Sequence, residues 1–170
     1  HTAYRRQRQM CIRDRYPVGR VKRAAERLCE ITYRSLLLAI EEVKPGAHLG
    51  DIGAAIQDYA EAERCSVVRD FCGHGVGKIF HDAPNVLHYG RRGEGAELKP
   101  GMIFTIEPMI NLGRPHVKVL SDGWTAVTRD RSLTAQYEHT VGVTDTGCEV
   151  FTFSPGGLDT PGIVLDPINL

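Results

Sequence analysis

Apolar residues recur at helical spacing along the first part of the chain. Between Val21 and Val43 they return every three or four positions, and Pro45–Gly46 then ends the pattern. A second stripe runs from about Leu49 to Glu63, where apolar positions with a helical period lie beside acidic ones. The sequence therefore predicts two helices, each with an apolar face that can cover a sheet.

The pattern changes after the second helix to short apolar runs separated by glycine, proline and aspartate. SVVRDF predicts a short strand, whereas the glycine-rich stretch CGHGVGKIFHDAPNVLHYG that follows it predicts no regular structure. Further strands are predicted at 102–111, 116–120, 124–129, 135–143 and 148–153. Helices followed by consecutive strands indicate an α+β fold with an antiparallel sheet.

Basic and acidic residues are distributed unevenly. Each class has 21 members, but residues 1–23 contain eight basic residues and one acid, which leaves 13 basic and 20 acidic residues in the remainder. Part of the start, QRQMCIRDR, resembles translated sequencing-adapter read-through, so we expect a non-native or disordered basic head at 1–16. A nucleic-acid-binding arm and an organelle transit peptide are the alternatives for such a head. Residues 154–170, rich in proline and turn-forming residues, predict an extended or disordered tail.

Length and composition exclude several classes of protein. A chain of 170 residues with 42% hydrophobic and 25% charged residues is typical of one globular domain. No apolar run approaches the roughly 18 residues of a membrane-spanning helix, and no secretory signal is evident. The five cysteines form no CxxC pair, which argues against a disulfide framework and against a thiolate zinc site. We therefore expect a cytoplasmic protein without membrane association.

Two glutamates interrupt the apolar strands, Glu107 in IFTIEPM and Glu138 in AQYEHTVGV. A buried ionised carboxylate is costly unless a cation compensates it. If the two strands are neighbours, side-chain alternation allows the carboxylates to meet across the sheet. One member of such a pair stays protonated unless a divalent cation lies between the two, or unless a basic residue pairs with them, for which Lys118 and Arg129 are candidates.

Two histidines precede these glutamates. His74 lies between Gly73 and Gly75, and glycines allow a backbone to approach a ligand closely because they lack Cβ. His81 follows seven residues later. Imidazole and carboxylate groups suit iron, manganese, cobalt and zinc. The residues alone leave two interpretations open, a metal site or a structural histidine with ion-paired glutamates.

Three segments together resemble type I methionine aminopeptidase: CGHGVGKIFHDAPNVLHYG, LKPGMIFTIEPMINLG and SDGWTAVTRDRSLTAQYEHTVGVTDTGCEVFT. The resemblance runs from about Val18 to Phe153. It implies the pita-bread (creatinase/aminopeptidase) fold, of which this chain would contain the C-terminal two-thirds, two helices covering a curved antiparallel sheet. We therefore expect residues 17–153 to form an incomplete catalytic domain of this family.

The resemblance also implies a reaction and the residues that perform it. The implied reaction is hydrolytic removal of the initiator methionine from nascent polypeptides with a small second residue, using a metal-activated water. The implied cofactors are two divalent ions, cobalt, iron, manganese or zinc, in a monomer working near the ribosome. The implied catalytic residues are His81 and Glu107, the metal ligands are His74, Glu107 and Glu138, and the substrate-binding residues are His81, Phe80 and Trp124.

One part of the family pattern is missing from this chain. The family places two aspartate ligands on a hairpin upstream of the first helix, whereas the only acid before Val18 here is Asp14. We therefore expect at most one weakly bound ion and little or no peptidase activity from this polypeptide. The alternatives are a non-catalytic pita-bread binding protein and a prolidase-like Xaa-Pro peptidase.

Overall fold

The computed structural model describes residues 11–153. The predicted tail at 154–170 lies outside the described residues, as do residues 1–10 of the predicted head.

Two helices open the described fold, close to the predicted positions. Helix α1 spans Arg23–Glu41 and helix α2 spans Leu49–Ala62. Their apolar stripes bury Leu36 and Ile40 from α1 and Ile56 from α2, as the helical period predicted. Neither helix in the described part of the chain has the length and apolar character needed to cross a membrane.

Short strands, all paired antiparallel, follow the helices. In the described residues they are β1 (Ser66–Val67), β2 (Gly73–Gly75), β3 (Asp82–Val86), β4 (Ile103–Ile106), β5 (Met109–Asn111), β6 (Val117–Val119), β7 (Ala126–Thr128), β8 (Thr134–Gln136), β9 (His139–Val143) and β10 (Cys148–Val150). One sheet has the order β10-β9-β4-β2-β3, a second has the order β1-β5-β8, and β6 pairs with β7 as a separate hairpin.

Two of the predicted strands are each broken into two. The predicted strand 102–111 is divided into β4 and β5 at Glu107 and Pro108, and the predicted strand 135–143 is divided into β8 and β9 at Tyr137 and Glu138. At each break the chain passes between the five-stranded and the three-stranded sheet. Both glutamates therefore lie at junctions between sheets, and the prediction that they lie inside strands was wrong.

The glycine-rich stretch contains a hairpin of β2 and β3, so the prediction of irregular structure was wrong for those two strands, while the rest of the stretch lies outside strands. Gly73 and Gly75 let β2 approach its neighbours closely. A Cβ on Gly73 would clash with the backbone oxygen of Thr105 in β4, and one on Gly75 would clash with the backbone oxygen of Ala83 in β3. Absence of side chains at these positions permits the close packing of the three strands.

The hydrophobic core lies between the helices and the two sheets. Helix α1 contacts β4, β5 and β8 and thus reaches both sheets, while α2 contacts β1 and β3. The rings of Tyr33 in α1 and Tyr137, at the break before β9, pack with centroids 5.1 Å apart. The core fixes the position of the strand ends that carry the two glutamates, because burial of apolar surface stabilises the fold by about 25 cal/mol per Å².

Candidate metal centre

Glu107 follows the last residue of β4, and neighbouring polar groups hold its carboxylate in place. The hydroxyl of Thr105 donates to Glu107 Oε1 at 2.8 Å, and Nε2 of Gln136 donates to Oε2 at 3.2 Å. The backbone N–H of Glu107 donates to Nε2 of the buried His88 at 3.2 Å. Burial raises the pKa of Glu107, although its hydrogen bonds and the charge of Arg13 oppose that shift.

Glu138 lies directly before β9 on the neighbouring strand. Because Ile106 of β4 pairs with His139 of β9, the residues just beyond this pair, Glu107 and Glu138, leave the same end of the ladder. The two backbone groups of Glu138 pair with those of Arg13, at 3.0 and 3.2 Å. Burial and then the negative charge of Glu107 raise the pKa of Glu138 to about 7.

His74, buried in β2, offers its Nε2 atom to this site. Its Nδ1 lies 2.9 Å from the carbonyl oxygen of Gly75. A carbonyl can only accept, so Nδ1 carries a hydrogen, and in the neutral ring Nε2 is then the atom with the free lone pair. That Nε2 atom lies 3.8 Å from Oε1 of Glu107. The tautomer of His74 therefore suits a metal ligand.

Neither Lys118 nor Arg129, the two candidate partners, forms an ion pair with the glutamates. In residues 11–153 neither glutamate forms an ion pair with lysine or arginine, and Arg129 instead donates to the carbonyl of Val117. The guanidinium of Arg13 donates to Oε1 of Gln136 at 2.5 Å. The half-buried carboxylate of Glu107 and the buried carboxylate of Glu138 both lie near the imidazole of His74, and the three groups fit a divalent cation, since such an ion supplies the positive charge that the carboxylates require.

His81 and Phe80 lie beside His74 at the surface. The ring centroids of His74 and His81 are 4.3 Å apart with an interplanar angle of 75°, and Phe80 lies 4.4 Å from His81 and 5.8 Å from His74. Both Phe80 and His81 are exposed, so the imidazole of His81 is accessible to a ligand that enters beside His74.

Trp124 is the one predicted site residue that the structure leaves apart from this group. It lies in the turn between β6 and β7 and is 87% exposed. Within the described residues its ring makes no contact with the rings of His74, Phe80 or His81. The structure thus brings together five of the six predicted residues.

The structure adds residues to which the sequence assigned no role. Thr105 and Gln136 hydrogen-bond to Glu107, and each lies two positions before one of the glutamates. Residues two positions apart in a strand lie on the same face, so this spacing was the signal that could have found them. His88 had no comparable signal, because its contact with the backbone of Glu107 depends on the pairing of β2 with β3 and β4.

Cys11 was also missed. Its Sγ, a ring nitrogen of His74 and a carboxylate oxygen of Glu138 all lie within 4.8 Å of one another. Burial, followed by the charges of Glu138 and Glu107, raises the pKa of the Cys11 thiol to about 11. The sequence could not indicate this position, because Cys11 is separated from His74 by more than sixty residues and lies in the predicted head.

Comparison with known proteins decides the family. The sequence model of metallopeptidase family M24 matches residues 10–145. The chain belongs to metallopeptidase family M24. The predicted α+β pita-bread fold is thereby confirmed, and the donor set of His74, Glu107 and Glu138 lies within the part that matches family M24.

The relatives of this M24 chain include several named methionine aminopeptidases. The one from Rickettsia prowazekii (strain Madrid E) is 57% identical over 148 residues, covering 86% of this chain and 57% of the relative. The one from Escherichia coli (strain K12) is 58% identical over 135 residues, covering 79% and 51% respectively. The chain thus spans about half the length of the curated relatives it matches.

A solved structure gives the same picture in three dimensions. The crystal structure of methionine aminopeptidase from Rickettsia prowazekii superimposes on this M24 chain with a TM-score of 0.80 and 55% sequence identity. The match covers 81% of this chain and 56% of the other.

Proposed function

We propose that His74, Glu107 and Glu138 bind a divalent cation, and that residues 17–153 are the metal-binding part of a methionine aminopeptidase catalytic domain. The observation that carries this proposal is the donor arrangement. The half-buried carboxylate of Glu107 and the buried carboxylate of Glu138 lie at the same end of the β4–β9 ladder beside His74, and no lysine or arginine in residues 11–153 forms an ion pair with them. The names of the relatives extend the proposal to the substrate, a peptide with an N-terminal methionine.

A bound divalent cation supplies Lewis acidity and lowers the pKa of water, the property that peptide hydrolysis requires. Glu107 would accept the proton that water loses on attack, because its Oε1 atom lies 3.8 Å from Nε2 of His74, beside the proposed ion. His81 donates a hydrogen bond to the carbonyl oxygen of the scissile bond as negative charge develops there, since its exposed ring lies against that of His74.

The methionine side chain of the substrate packs against Phe80. A thioether is polarisable and favours contact with an aromatic ring, and Phe80 lies 4.4 Å from His81, the residue that would contact the adjacent carbonyl. Trp124 would complete this apolar wall only after the β6–β7 hairpin approaches the cluster, because 87% of its surface is exposed.

This polypeptide binds at most one ion weakly and has low activity under the proposal. In residues 11–153, no aspartate is part of the donor cluster that contains His74 and Glu138. Three ligands hold a cation less firmly than the four to six that such ions normally take from protein and solvent groups. The resemblance to methionine aminopeptidase implies a second ion, and residues 11–153 would supply too few ligands to hold it.

The proposed substrate also indicates where the protein works. Initiator methionines are exposed on nascent polypeptides, so we propose that the protein works in the cytoplasm, near the ribosome.

Hydrolysis of Met-Ala-Ser, with Ala-Pro as the competing substrate, tests the proposal. We would compare this polypeptide with a chimera in which residues 1–16 are replaced by the N-terminal part of the Rickettsia prowazekii relative, each with added cobalt, manganese or iron. We expect little turnover from the polypeptide as it stands and clear turnover of Met-Ala-Ser by the chimera. His81→Ala in the chimera should abolish that turnover.

Three results would contradict the proposal. A chimera that hydrolyses Ala-Pro in preference to Met-Ala-Ser would indicate a prolidase-like peptidase. A folded chimera that binds metal but hydrolyses neither peptide would indicate a non-catalytic binding protein. Turnover by the unmodified polypeptide at the rate of the chimera would refute the expected low activity.

A further inference from the structure

The side chain of Gln136 joins the two sheets at the point where the chain crosses from β4 to β5. Gln136 is the last residue of β8 and pairs with Met109 of β5 in the three-stranded sheet. Its Nε2 atom donates to Oε2 of Glu107 at 3.2 Å and lies 3.4 Å from the backbone carbonyl oxygen of the same residue. Because Glu107 follows β4 of the five-stranded sheet, this amide contacts a residue that lies outside its own sheet.

The chemistry of Glu107 fixes which end of the amide faces it. A carbonyl oxygen and an ionised carboxylate can only accept, so the NH2 group of Gln136 must point at them. Gln136 is 5% exposed, which leaves little water to compete for these hydrogens. The other carboxylate oxygen, Oε1, accepts from Thr105 and lies 3.8 Å from Nε2 of His74. The carboxylate is thus held at both oxygens, with Oε1 toward the imidazole.

The lack of charge on Gln136 matters as much as its hydrogens. An amide donates without adding positive charge, so the negative charge of Glu107 stays available to a cation. Lysine or arginine at this position would also donate, but it would form an ion pair with the carboxylate and compete with the cation. In residues 11–153 no lysine or arginine forms an ion pair with Glu107. The carboxylate is therefore oriented without being neutralised, as a metal ligand requires.

Gln136 is also tied to the second carboxylate. It lies two residues before Glu138, so one short segment of chain carries a proposed ligand and the amide that holds another. A displacement of this segment would move Glu138 and release Glu107 together. The positions of the two carboxylates are therefore coupled through residues 136–138.

We propose that Gln136 is a positioning residue of the metal centre, whose uncharged amide holds the carboxylate of Glu107 with Oε1 toward His74 and couples it to the segment that carries Glu138. This role rests on the proposed metal centre and adds to it a residue that binds no ion itself. All four residues lie within 17–153, so the role does not depend on the predicted head.

Calorimetric titration of the full polypeptide with cobalt tests this role. Gln136→Met keeps the length of the side chain and removes the amide, so we expect cobalt affinity to fall at least about tenfold. Gln57→Met is the matched control, because Gln57 likewise donates to a carboxylate, that of Glu61 on α2. Arg13→Ala removes the guanidinium that donates to the other end of the Gln136 amide. Both controls should keep the affinity of the unmodified protein, and urea unfolding with a chelator would show that each variant is folded.

NMR spectroscopy of the unmodified, isotope-labelled protein separates positioning from a general effect on stability. Zinc is the probe, because it is diamagnetic and leaves the signals sharp. The side-chain NH2 signals of Gln136 should shift when zinc is added, since the carboxylate that accepts from them takes up the ion. The NH2 signals of Gln57 should stay in place.

The remaining outcomes separate this role from the metal centre itself. Equal cobalt affinities of folded Gln136→Met and the unmodified protein would overturn the role of Gln136 and leave the metal centre intact. Unmoved Gln136 signals, in a zinc-loaded protein whose His74 signals have shifted, would do the same. An equal loss of affinity in Arg13→Ala would assign the effect to the predicted head instead. Absence of cobalt binding by the unmodified protein would overturn both proposals.

Discussion

At the scale of single residues, the side chain of Thr105 connects two of the proposed ligands. Its hydroxyl oxygen accepts the backbone N–H of His74 at 3.0 Å, and its hydrogen is donated to Oε1 of Glu107 at 2.8 Å. One hydroxyl group therefore sets the distance between β2 and a carboxylate that follows β4. Such outer-shell contacts orient metal ligands before the ion arrives.

We predict that Thr105→Val weakens metal binding by about 10–100-fold. Valine has nearly the same shape as threonine but can neither accept from His74 nor donate to Glu107, so both ligands lose orientation. Isothermal titration with cobalt measures the change. Thr128→Val is the matched control. It removes a hydroxyl of β7 that donates to the carbonyl of Ser132, and it should leave metal binding unchanged. Equal affinities for Thr105→Val and the unmodified protein would show that the hydroxyl does not orient the ligands.

His88 should make the metal-free protein less stable in acid. Burial lowers its pKa from 6.5 to about 3, so below pH 6.5 the unfolded chain binds a proton that the folded chain does not. The stability that His88 contributes is thus present above pH 6.5 and is lost as the pH falls, by about 2 kcal/mol at pH 5. The raised pKa values of Glu107 and Glu138 favour the folded protein as the pH falls, which opposes the effect of His88. The effect of His88 is therefore measured as the difference between the unmodified protein and a His88 variant at the same pH.

His88→Gln isolates this effect, because glutamine is neutral throughout and can still accept the N–H of Glu107. Urea unfolding in the presence of a chelator, at pH 7.5 and pH 5, gives the free energy of unfolding of both proteins. We expect the unmodified protein to lose about 2 kcal/mol more than His88→Gln between these pH values. Parallel pH profiles would show that the imidazole is protonated in the folded state.

At the scale of secondary structure, the closeness of β2 to β4 determines where His74 lies. The Cβ of an alanine at position 73 would clash with the carbonyl of Thr105, which is backbone and cannot rotate away. We predict that Gly73→Ala destabilises the fold by about 1–3 kcal/mol and weakens cobalt binding, because β2 must move and take His74 with it.

Gly147→Ala is the matched control, because nothing lies within 4 Å of the added Cβ. Its free energy of unfolding should stay within about 0.5 kcal/mol of the unmodified protein. Urea unfolding and cobalt titration of both variants provide the comparison. Retention of full stability and affinity by Gly73→Ala would show that β2 tolerates displacement without moving the ligand.

The helices and the general order of strands could be predicted from the sequence, because hydrophobic period is a local property. The breaks at Glu107–Pro108 and at Tyr137–Glu138 could not, since residues on both sides of each break continue the apolar pattern although they enter different sheets. For the same reason the hairpin of β2 and β3 was missed. Its glycines indicate irregular backbone locally, and they become strand residues only because neighbouring strands need the space.

The site was predictable to the extent that its chemistry requires particular residue types. His74, Glu107 and Glu138 were candidates because imidazole and buried carboxylates suit a cation, and the fold brings them together. The hydrogen bond of the His74 ring depends on the carbonyl of Gly75, and the proximity of Cys11 to His74 depends on pairing with Thr140. Neither contact follows from residue type or spacing.

At the scale of the whole molecule, metal binding should stabilise the described fold. An ion that binds only the folded state adds about 2.7 kcal/mol when its concentration is 100 times its Kd, which corresponds to a rise in Tm of roughly 5–10 °C for a chain of this size. We predict this rise on addition of cobalt to the unmodified protein, measured by differential scanning calorimetry.

His74→Ala should show a much smaller shift, because it removes the nitrogen ligand. Lys118→Ala, an exposed change on the separate β6–β7 hairpin, should show the full shift. An equal rise in all three proteins would indicate that cobalt binds elsewhere on the folded chain.

The two junctions between the sheets give such an ion a mechanical role. Glu107 and Glu138 each lie where the chain crosses from one sheet to the other, so a cation bound to both carboxylates would join the two crossings at a single point. Separation of the sheets would then require breaking coordination bonds as well as exposing apolar surface. Chelation should accordingly loosen the contact between the two sheets before it affects the pairing of strands within either sheet.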